Sequence, residues 1–176
     1  MKEKSYLPVK QTALFQVALL FFAVVFASTA VSAWAAGNQV VINLTQKKVV
    51  KGPGGKETYE AAEKIFPGDV IEYTAECTNS GNTAVTNFKP QIPIPVDKGL
   101  VYVAGTAKPA KAEASIDGVR FAPMPLKRKV RLPNGKEAIR DIPYSQYKFI
   151  RWNLGTLPAG KTVTVSARVR LAAPGR

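Results

Sequence analysis

An all-β fold is predicted by this sequence, from two alternating segments and from the turn signals between them. Apolar residues occupy every second position of residues 71–77 and again of residues 163–171. A period of two is typical of a strand with one face buried. Clusters of Gly, Pro, Asn and Asp separate these and other short apolar segments, and nothing after residue 36 sustains a helical period. The pattern predicts an antiparallel β-sandwich of about seven to nine strands.

The first residues predict a secretory signal peptide that forms a helix. Three lysines lie among the first ten residues, residues 17–27 form an unbroken apolar run of 11 residues, and small residues at 31–35 offer cleavage sites. This order of features is that of a signal peptide. The sequence therefore predicts export, to the periplasm, the cell surface or the medium.

Two segments follow from that prediction. We expect residues 1–35 to be the signal peptide, with cleavage near residues 33–36, and residues 36–176 to form a single domain. An uncleaved membrane anchor is the alternative, because residues 11–46 carry no charge. A membrane-spanning helix needs roughly 20 apolar residues, and the unbroken run here is shorter, which favours cleavage.

The first half of the expected domain contains two clear strands and a third that frays. Residues 39–50 predict the first strand, and the Gly-rich residues 51–56 predict a turn. Pro67-Gly68-Asp69 opens the second strand, whereas residues 57–64 before it are ambiguous. Residues 84–94 predict a third strand that frays at its prolines, because proline cannot donate to a strand ladder.

The second half contains a short strand, a central strand and an insertion. Residues 99–104 predict the short strand, and residues 147–154 carry apolar residues on both faces, as central strands do. Residues 105–145 between them are too long for a structureless loop in a compact domain. Asp117-Gly118 and Asn134-Gly135 are strong hairpin signals. We therefore expect one or two extra hairpins inserted between the core strands.

Composition argues against most catalytic chemistry. Histidine is absent, and cysteine occurs once, at Cys77. Zinc sites need several Cys, His or carboxylate ligands, and Ser-His-Asp or Cys-His catalysis needs a histidine. Cys77 alternates with Ile71 and Tyr73, so we expect a buried thiol, with a free thiol for dimerisation as the alternative. We expect no enzyme activity, metal or cofactor, although sequence leaves a glycosidase-type carboxylate pair open.

The positive charge is concentrated in the second half. The chain has a net charge of +13, and residues 37–97 contain 6 Lys/Arg and 7 Asp/Glu, whereas residues 98–176 contain 16 and 4. A basic surface favours polyanions, which outside the cytoplasm are acidic polysaccharides or lipid headgroups rather than nucleic acid. The alternative is that these charges only keep the protein soluble. The candidate anion- or partner-binding residues are Arg120, Lys127, Arg128, Lys129, Arg131, Lys136 and Arg151.

A row of aromatic side chains offers a second candidate surface. Tyr147, Phe149 and Arg151 share one face of their predicted strand. Exposed aromatic rings beside an arginine can grip a sugar ring or a protein partner. The alternative is that the hairpins of residues 105–145 cover this face.

Four short motifs occur in order along the chain. They are Pro67-Gly68-Asp69 with Tyr73, Thr78-Asn79-Ser80-Gly81-Asn82, Pro93-Ile94-Pro95 with Leu100-Val101-Tyr102, and Trp152-Asn153-Leu154-Gly155-Thr156-Leu157-Pro158-Ala159-Gly160. Together they resemble the bacterial conserved repeat domain, also called domain of unknown function eleven, over roughly residues 45–171. The resemblance implies an Ig-like β-sandwich in exported or surface proteins, often in tandem arrays, without catalytic residues. This chain departs from the family pattern in having one copy and no visible sorting signal, which favours a small secreted or periplasmic protein or a subunit.

The expected function is therefore structural. We expect an exported module of the cell envelope or surface, used for adhesion, assembly or scaffolding, which contacts a protein partner or a second copy through sheet edges. The apolar residues Val40, Val41, Ile42 and Leu44 form the candidate strand-pairing segment, read here as a donated strand. The alternative function is binding of acidic glycan or lipid headgroups through the basic second half. Contact with a membrane is expected only through an uncleaved signal segment.

Overall fold

The computed structural model of the protein describes residues 40–173. These residues contain thirteen β-strands and three short 3₁₀ turns. The expected signal-peptide helix and the boundary near residue 36 lie outside these residues. The 3₁₀ turns are Pro53–Gly55, Val96–Lys98 and Tyr144–Gln146. In chain order the strands are β1 (Val40–Lys51), β2 (Glu57–Ala61), β3 (Val70–Asn79), β4 (Val85–Phe88), β5 (Gln91–Pro93), β6 (Leu100–Tyr102), β7 (Glu113–Ser115), β8 (Ala122–Pro123), β9 (Lys127–Arg131), β10 (Glu137–Asp141), β11 (Phe149–Arg151), β12 (Gly155–Leu157) and β13 (Thr162–Leu171).

The strands form antiparallel sheets that do not close into a barrel, and the predicted all-β sandwich is confirmed. The largest sheet has the order β2-β1-β3-β13-β6, and a four-stranded sheet has the order β5-β11-β7-β8. β4 pairs with β12, and β9 pairs with β10. Four of the thirteen strands, β7 to β10, belong to the insertion, and the nine that remain among the described residues agree with the seven to nine expected.

The two alternating segments lie side by side in the middle of the largest sheet. β3 and β13 pair in register from Val70 opposite Arg170 to Thr78 opposite Thr162. Residues directly opposite each other share a face, so the apolar positions of both strands point to the same side. They form the centre of the core, and the predicted inward position of Cys77 is confirmed. The buried residues of this face are Ile71, Tyr73, Ala75, Cys77, Val165, Ala167 and Val169.

One predicted strand was wrong, and one ambiguous segment contains a strand. Residues 84–94 are not one frayed strand, because β4 pairs with β12 and β5 pairs with β11 in a different sheet. The chain changes sheet at Pro90, which has no N–H and whose carbonyl accepts a hydrogen bond from the backbone of Trp152 at 3.0 Å. The ambiguous residues 57–64 contain β2, an edge strand whose side chains are nearly all exposed. No apolar alternation could therefore mark it.

The insertion forms two hairpins, as its turn signals predicted. β7 pairs with β8 across the Asp-Gly turn, and β9 pairs with β10 across the Asn-Gly turn. Two hydrogen bonds, one buried and one part-buried, help to attach the insertion to the core. The N–H of Leu126 donates to the hydroxyl of Tyr147 at 2.6 Å, and the indole N–H of Trp152 donates to the carbonyl of Pro109 at 2.8 Å. The central strand expected over residues 147–154 is shorter than predicted: β11, Phe149–Arg151, lies between β5 and β7.

Asn79 connects two of the sequence motifs at the end of β3. Its buried side chain donates to the carbonyls of Thr83 at 2.8 Å and Leu157 at 3.0 Å, and accepts from the N–H of Gly81 at 3.0 Å. Its backbone N–H and C=O bond to residues 160–161. Buried polar groups need partners of this kind to avoid a desolvation cost. One asparagine thereby fixes both the turn after β3 and the turn between β12 and β13.

Candidate functional sites at a free strand edge and on a basic hairpin

β1 is paired on both sides along only part of its length. β3 covers one side from Val40 to Val49, whereas β2 covers the other side only from Lys47 to Lys51. Among the described residues, no strand pairs with residues 40–46 on that second side. We call this stretch the free edge of β1. The segment is thus already part of its own sheet, so it offers an edge and is not a strand to be donated.

The direction of backbone hydrogen bonds along β1 can be worked out from its neighbour. Asn79 exchanges both backbone hydrogen bonds with the turn before β13. Bonding direction alternates along an antiparallel strand, so Thr78 bonds towards β1, where it lies opposite Val41. The N–H and C=O groups of Val41 therefore point to β3. Those of Ile42 and Leu44 point away from β3, to the free edge.

The apolar side chains of the free edge are exposed. Val41 is 56% exposed, Ile42 55% and Leu44 45%. Ile42 lies opposite Cys77 and Leu44 opposite Ala75, so both side chains extend the buried face of the sheet past the part that the second layer covers. Sheet edges are normally protected from pairing by charged residues or proline. The free edge contains neither.

The predicted basic residues of the β9–β10 hairpin lie on two faces. Lys127, Lys129 and Arg131 share one face with two acidic residues of β10, and Lys129 Nζ lies 3.6 Å from a carboxylate oxygen of that strand. Arg128 lies on the other face, directly opposite Arg140. Like charges directly opposite each other are destabilising. The hairpin therefore does not present all its charges to one ligand.

Two of the predicted arginines also have acidic partners. Arg120 Nε lies 3.0 Å from Asp117 Oδ2, and Arg151 Nη2 lies 2.6 Å from a carboxylate oxygen of Glu113. The guanidinium of Arg151 also stacks on the ring of Phe121, at 3.7 Å from the ring centroid. Hydrogen bonds from backbone N–H groups, first that of Arg120, hold the pKa of the Asp117 carboxyl well below its usual range. Both arginines therefore help to hold β7 and the turn that follows it.

Three of the seven predicted residues converge on one groove. Arg120, Lys127 and Arg128 line a groove of about 280 Å³ between the hairpin and the four-stranded sheet, together with Asp117, the ion-pair partner of Arg120. Leu126 and Ile142 contribute to its apolar wall. The other four predicted residues do not line it. A groove with a basic rim and an apolar wall suits an amphipathic anion better than a simple inorganic one. The structure thus brings part of the predicted patch together and separates the rest.

The aromatic row is not an exposed surface, and the alternative holds, in which the hairpins of residues 105–145 cover this face. Tyr147 is completely buried, whereas Phe149 and Arg151 are half-buried. The turn Tyr144–Gln146 interrupts the strand before Tyr147 and turns its ring into the core. There it stacks on Tyr102, with 6.1 Å between ring centroids. The ring of Tyr147 is therefore part of the folded core and cannot meet a ligand.

Arg168 forms the most extensive polar contact that sequence reasoning missed. Its guanidinium makes two hydrogen bonds to the carboxylate of Glu57, at 2.7 and 2.9 Å, and one to Glu72 at 2.8 Å. The bonds from Arg168 lower the pKa of Glu57, and those to Glu57 raise the pKa of Arg168. Alternation placed Arg168 on the outer face, but its partners depend on β2, which the sequence did not reveal. The cluster ties the edge strand β2 to the middle of the sheet.

One cavity lies beside the rings of Tyr102 and Tyr144 and offers little chemistry. It has a volume of about 220 Å³ and is lined by Tyr102, Tyr144, Met124 and small residues. The buried hydroxyl of Tyr102 makes no hydrogen bond to a described residue, and burial raises its pKa. Residues 40–173 contain no group of three or more Cys, Asp or Glu side chains suited to a metal ion. A cavity of this kind has space for water or a small molecule but lacks a nucleophile or base.

Comparison with known proteins adds no assignment. No protein-family model, no curated protein and no solved structure matches this chain. The resemblance to the bacterial conserved repeat domain therefore stays a prediction from the motifs. Within residues 40–173, no helix is long and apolar enough to cross a membrane. The free edge of β1 and the groove are therefore the two features from which a function can be proposed.

Proposed function

We propose that this protein is a non-enzymatic β-sandwich module of the bacterial cell envelope or surface. It works by accepting a strand of another polypeptide at the free edge of β1. The observation that carries this proposal is an unprotected edge with exposed apolar side chains at Val41, Ile42 and Leu44. Main-chain hydrogen bonds at such an edge supply affinity, and alternate side chains supply specificity.

The absence of protection is the strongest part of the argument. A soluble sheet that must stay single blunts its edges with lysine, proline or a bulge, because unpaired N–H and C=O groups otherwise template aggregation. The other outer edge of this sheet is better protected, since β6 is only three residues long. An edge that lacks these devices is consistent with one that a partner covers.

The test replaces one edge side chain by a charge and compares it with a matched change elsewhere. Ile42→Lys places an ammonium group within the free edge, whereas Ile139→Lys adds the same group at a position that is 67% exposed on the β9–β10 hairpin. Because both side chains are exposed, each variant should unfold within about 0.5 kcal/mol of wild type. Each protein is tagged and expressed in its own cells, and the complexes that it forms are compared. We expect the complexes of wild type to be kept in Ile139→Lys and lost in Ile42→Lys.

A second readout identifies strand addition. The amides of Ile42 and Leu44 should exchange with solvent rapidly in the isolated protein and slowly in the complex, because their N–H groups point to the free edge. Unchanged exchange at these two amides, or complexes that survive Ile42→Lys, would contradict the proposal.

The groove supports a second candidate function, which is binding of an acidic glycan or lipid headgroup. The observation that favours it is the convergence of Arg120, Lys127 and Arg128 on one apolar-walled groove. Lys127→Ser with Arg128→Ser removes two charges from the groove. Arg131→Ser with Lys136→Ser removes the same number outside it and is the matched control. We expect the first pair to lower the salt concentration that elutes the protein from a heparin column more than the second. Equal shifts would show that retention depends on net charge alone.

A further inference from the structure

We propose that the polypeptide accepted at the free edge of β1 is a second copy of this chain, paired antiparallel about Ile42. This inference rests on the proposed function and names the partner for it. Two identical edges related by a twofold axis contact each other through the same residues, so the edge must be complementary to itself. The sequence of the free edge meets that requirement.

The register follows from which residues have free backbone groups. Val40, Ile42 and Leu44 share one bonding direction, because they alternate with Val41 and Asn43, which bond to β3. Antiparallel pairing about Ile42 places Ile42 opposite Ile42 of the second copy, and Val40 opposite Leu44 of the second copy. All three positions then exchange both hydrogen bonds with the other chain. Their side chains form a continuous apolar strip on the core side of the joined sheet.

A shift of the register is disfavoured by the position of β2. If the pairing were centred on Asn43, Val40 of the second copy would lie opposite Gln46, directly beside the position that Ala61 occupies next to Lys47. That register would also place the apolar side chain of Val40 opposite a polar one on the core side of the joined sheet. Centring on Ile42 pairs only apolar residues along that side.

Charge favours contact between two copies at this edge over contact through the second half of the chain. Residues 37–176 contain 22 Lys/Arg and 11 Asp/Glu, a net charge of +11 to which residues 98–176 contribute +12, whereas the free edge has no charged residue. Two copies therefore repel each other through residues 98–176, and their uncharged free edges can approach closely. Salt screens that repulsion without weakening apolar contact, so dimerisation should increase with ionic strength. Binding of an anionic ligand by the basic residues would show the opposite dependence.

The pairing is expected to be weak. Stable interfaces bury roughly 1,200–2,000 Å² in total, and a strand pair of about five residues on each side buries less. We therefore expect dimers at concentrations on the order of tens of micromolar and above, rather than at nanomolar concentrations. Light scattering over a concentration series, at low and high salt, measures this directly.

Disulfide trapping with two single variants tests the register. In this register, Val41 of one copy and Asn43 of the other form a non-hydrogen-bonded pair. The Cα atoms of such a pair are about 4.5 Å apart, which is within reach of a disulfide. Purified Val41→Cys and Asn43→Cys proteins, mixed with a mild oxidant, should give a covalent dimer. Each variant alone should not, because identical positions are offset along the strands. Wild type controls for Cys77, which is buried and whose pKa is raised by burial.

The outcomes separate the inference from the function on which it rests. Pairing about Ile42 is supported by a covalent dimer in the mixture of the two variants, together with a wild-type mass that doubles in light scattering as salt and concentration rise. A covalent dimer formed by the Asn43→Cys protein on its own would show pairing about Asn43 and would overturn that register. A monomer under all conditions with no trapping overturns the second copy as partner. In that last case the proposed function still stands if cellular complexes are lost in Ile42→Lys and kept in Ile139→Lys, and it falls as well if they are kept in both.

Discussion

Replacing Asn79 by alanine tests whether one buried amide holds the two motif turns together. The side chain makes three hydrogen bonds, to the carbonyls of Thr83 and Leu157 and from the N–H of Gly81. Alanine removes all three and cannot replace any of them. Asn82→Ala is the matched control, because Asn82 lies in the same turn but is exposed.

The size of the effect follows from the number and burial of these bonds. A net contribution of about 1 kcal/mol for each hydrogen bond gives about 3 kcal/mol. The carbonyl of Leu157, a buried residue, loses its amide partner, and an unpaired buried acceptor adds to the cost. We therefore expect Asn79→Ala to lower the free energy of unfolding by about 3 kcal/mol. Asn82→Ala should change it by less than about 0.5 kcal/mol.

Urea unfolding measured by the fluorescence of the buried Trp152 provides the assay. Unfolding entropy of about 2.1 cal/mol/K per residue, for a domain of about 140 residues, converts 3 kcal/mol into a Tm lower by about 10 °C. If Asn79→Ala costs less than about 1 kcal/mol, or no more than Asn82→Ala, then Asn79 is not the connection between the two turns and the argument is refuted.

Two further predictions concern charge and backbone conformation. The hydrogen bonds from Arg168 lower the pKa of Glu57 below 4.5, so the folded protein binds fewer protons than the unfolded chain. This contribution to stability is complete above pH 4.5 and is lost as pH falls through the folded pKa. Glu57→Gln should therefore lower stability at neutral pH and flatten the acid side of a curve of Tm against pH. An unchanged slope would contradict the pairing of Glu57 with Arg168. Gly118 has φ +79°, and a Cβ there would lie 3.0 Å from the ring of Phe149, whereas Gly135 has φ +77° and open space. Gly118→Ala should therefore cost about 2 kcal/mol and Gly135→Ala about 1 kcal/mol, measured in urea; equal costs would show that the ring moves aside.

Much of the fold could be predicted because the central strands β3 and β13 have one solvent-exposed face and one buried face. The alternation of β3 and β13 identified their core residues, and the Asp-Gly and Asn-Gly pairs identified both inserted hairpins. β2 could not be predicted, because an exposed edge strand such as Glu57–Ala61 has no buried face to impose a pattern on its side chains. The change of sheet at Pro90 was also hidden, since a proline marks a break but not the direction that the chain takes afterwards.

The candidate sites were predicted less completely, because they depend on contacts between distant segments. The apolar character of residues 40–44 was visible, but their free edge depends on β2 ending opposite Lys47. The basic residues were visible, but their separation onto two faces depends on the β9–β10 register. Tyr147 was misplaced because a single 3₁₀ turn, Tyr144–Gln146, changes the direction of the next side chain. A local sequence pattern shows which side chains share one face of a strand, whereas a site depends on which strands and turns come together in the fold.

The β9–β10 hairpin has one further consequence, which concerns tolerance to change. Its base is closed by the buried residues Leu126 and Ile142, where the N–H of Ile142 donates to the carbonyl of Leu126 at 2.8 Å. The strands beyond that bond form a two-stranded sheet of their own, and their side chains are largely exposed. The length and composition of the hairpin between residues 126 and 142 can therefore vary without disturbing the interior. The same base is a natural position at which a foreign peptide loop can be grafted and displayed on this protein.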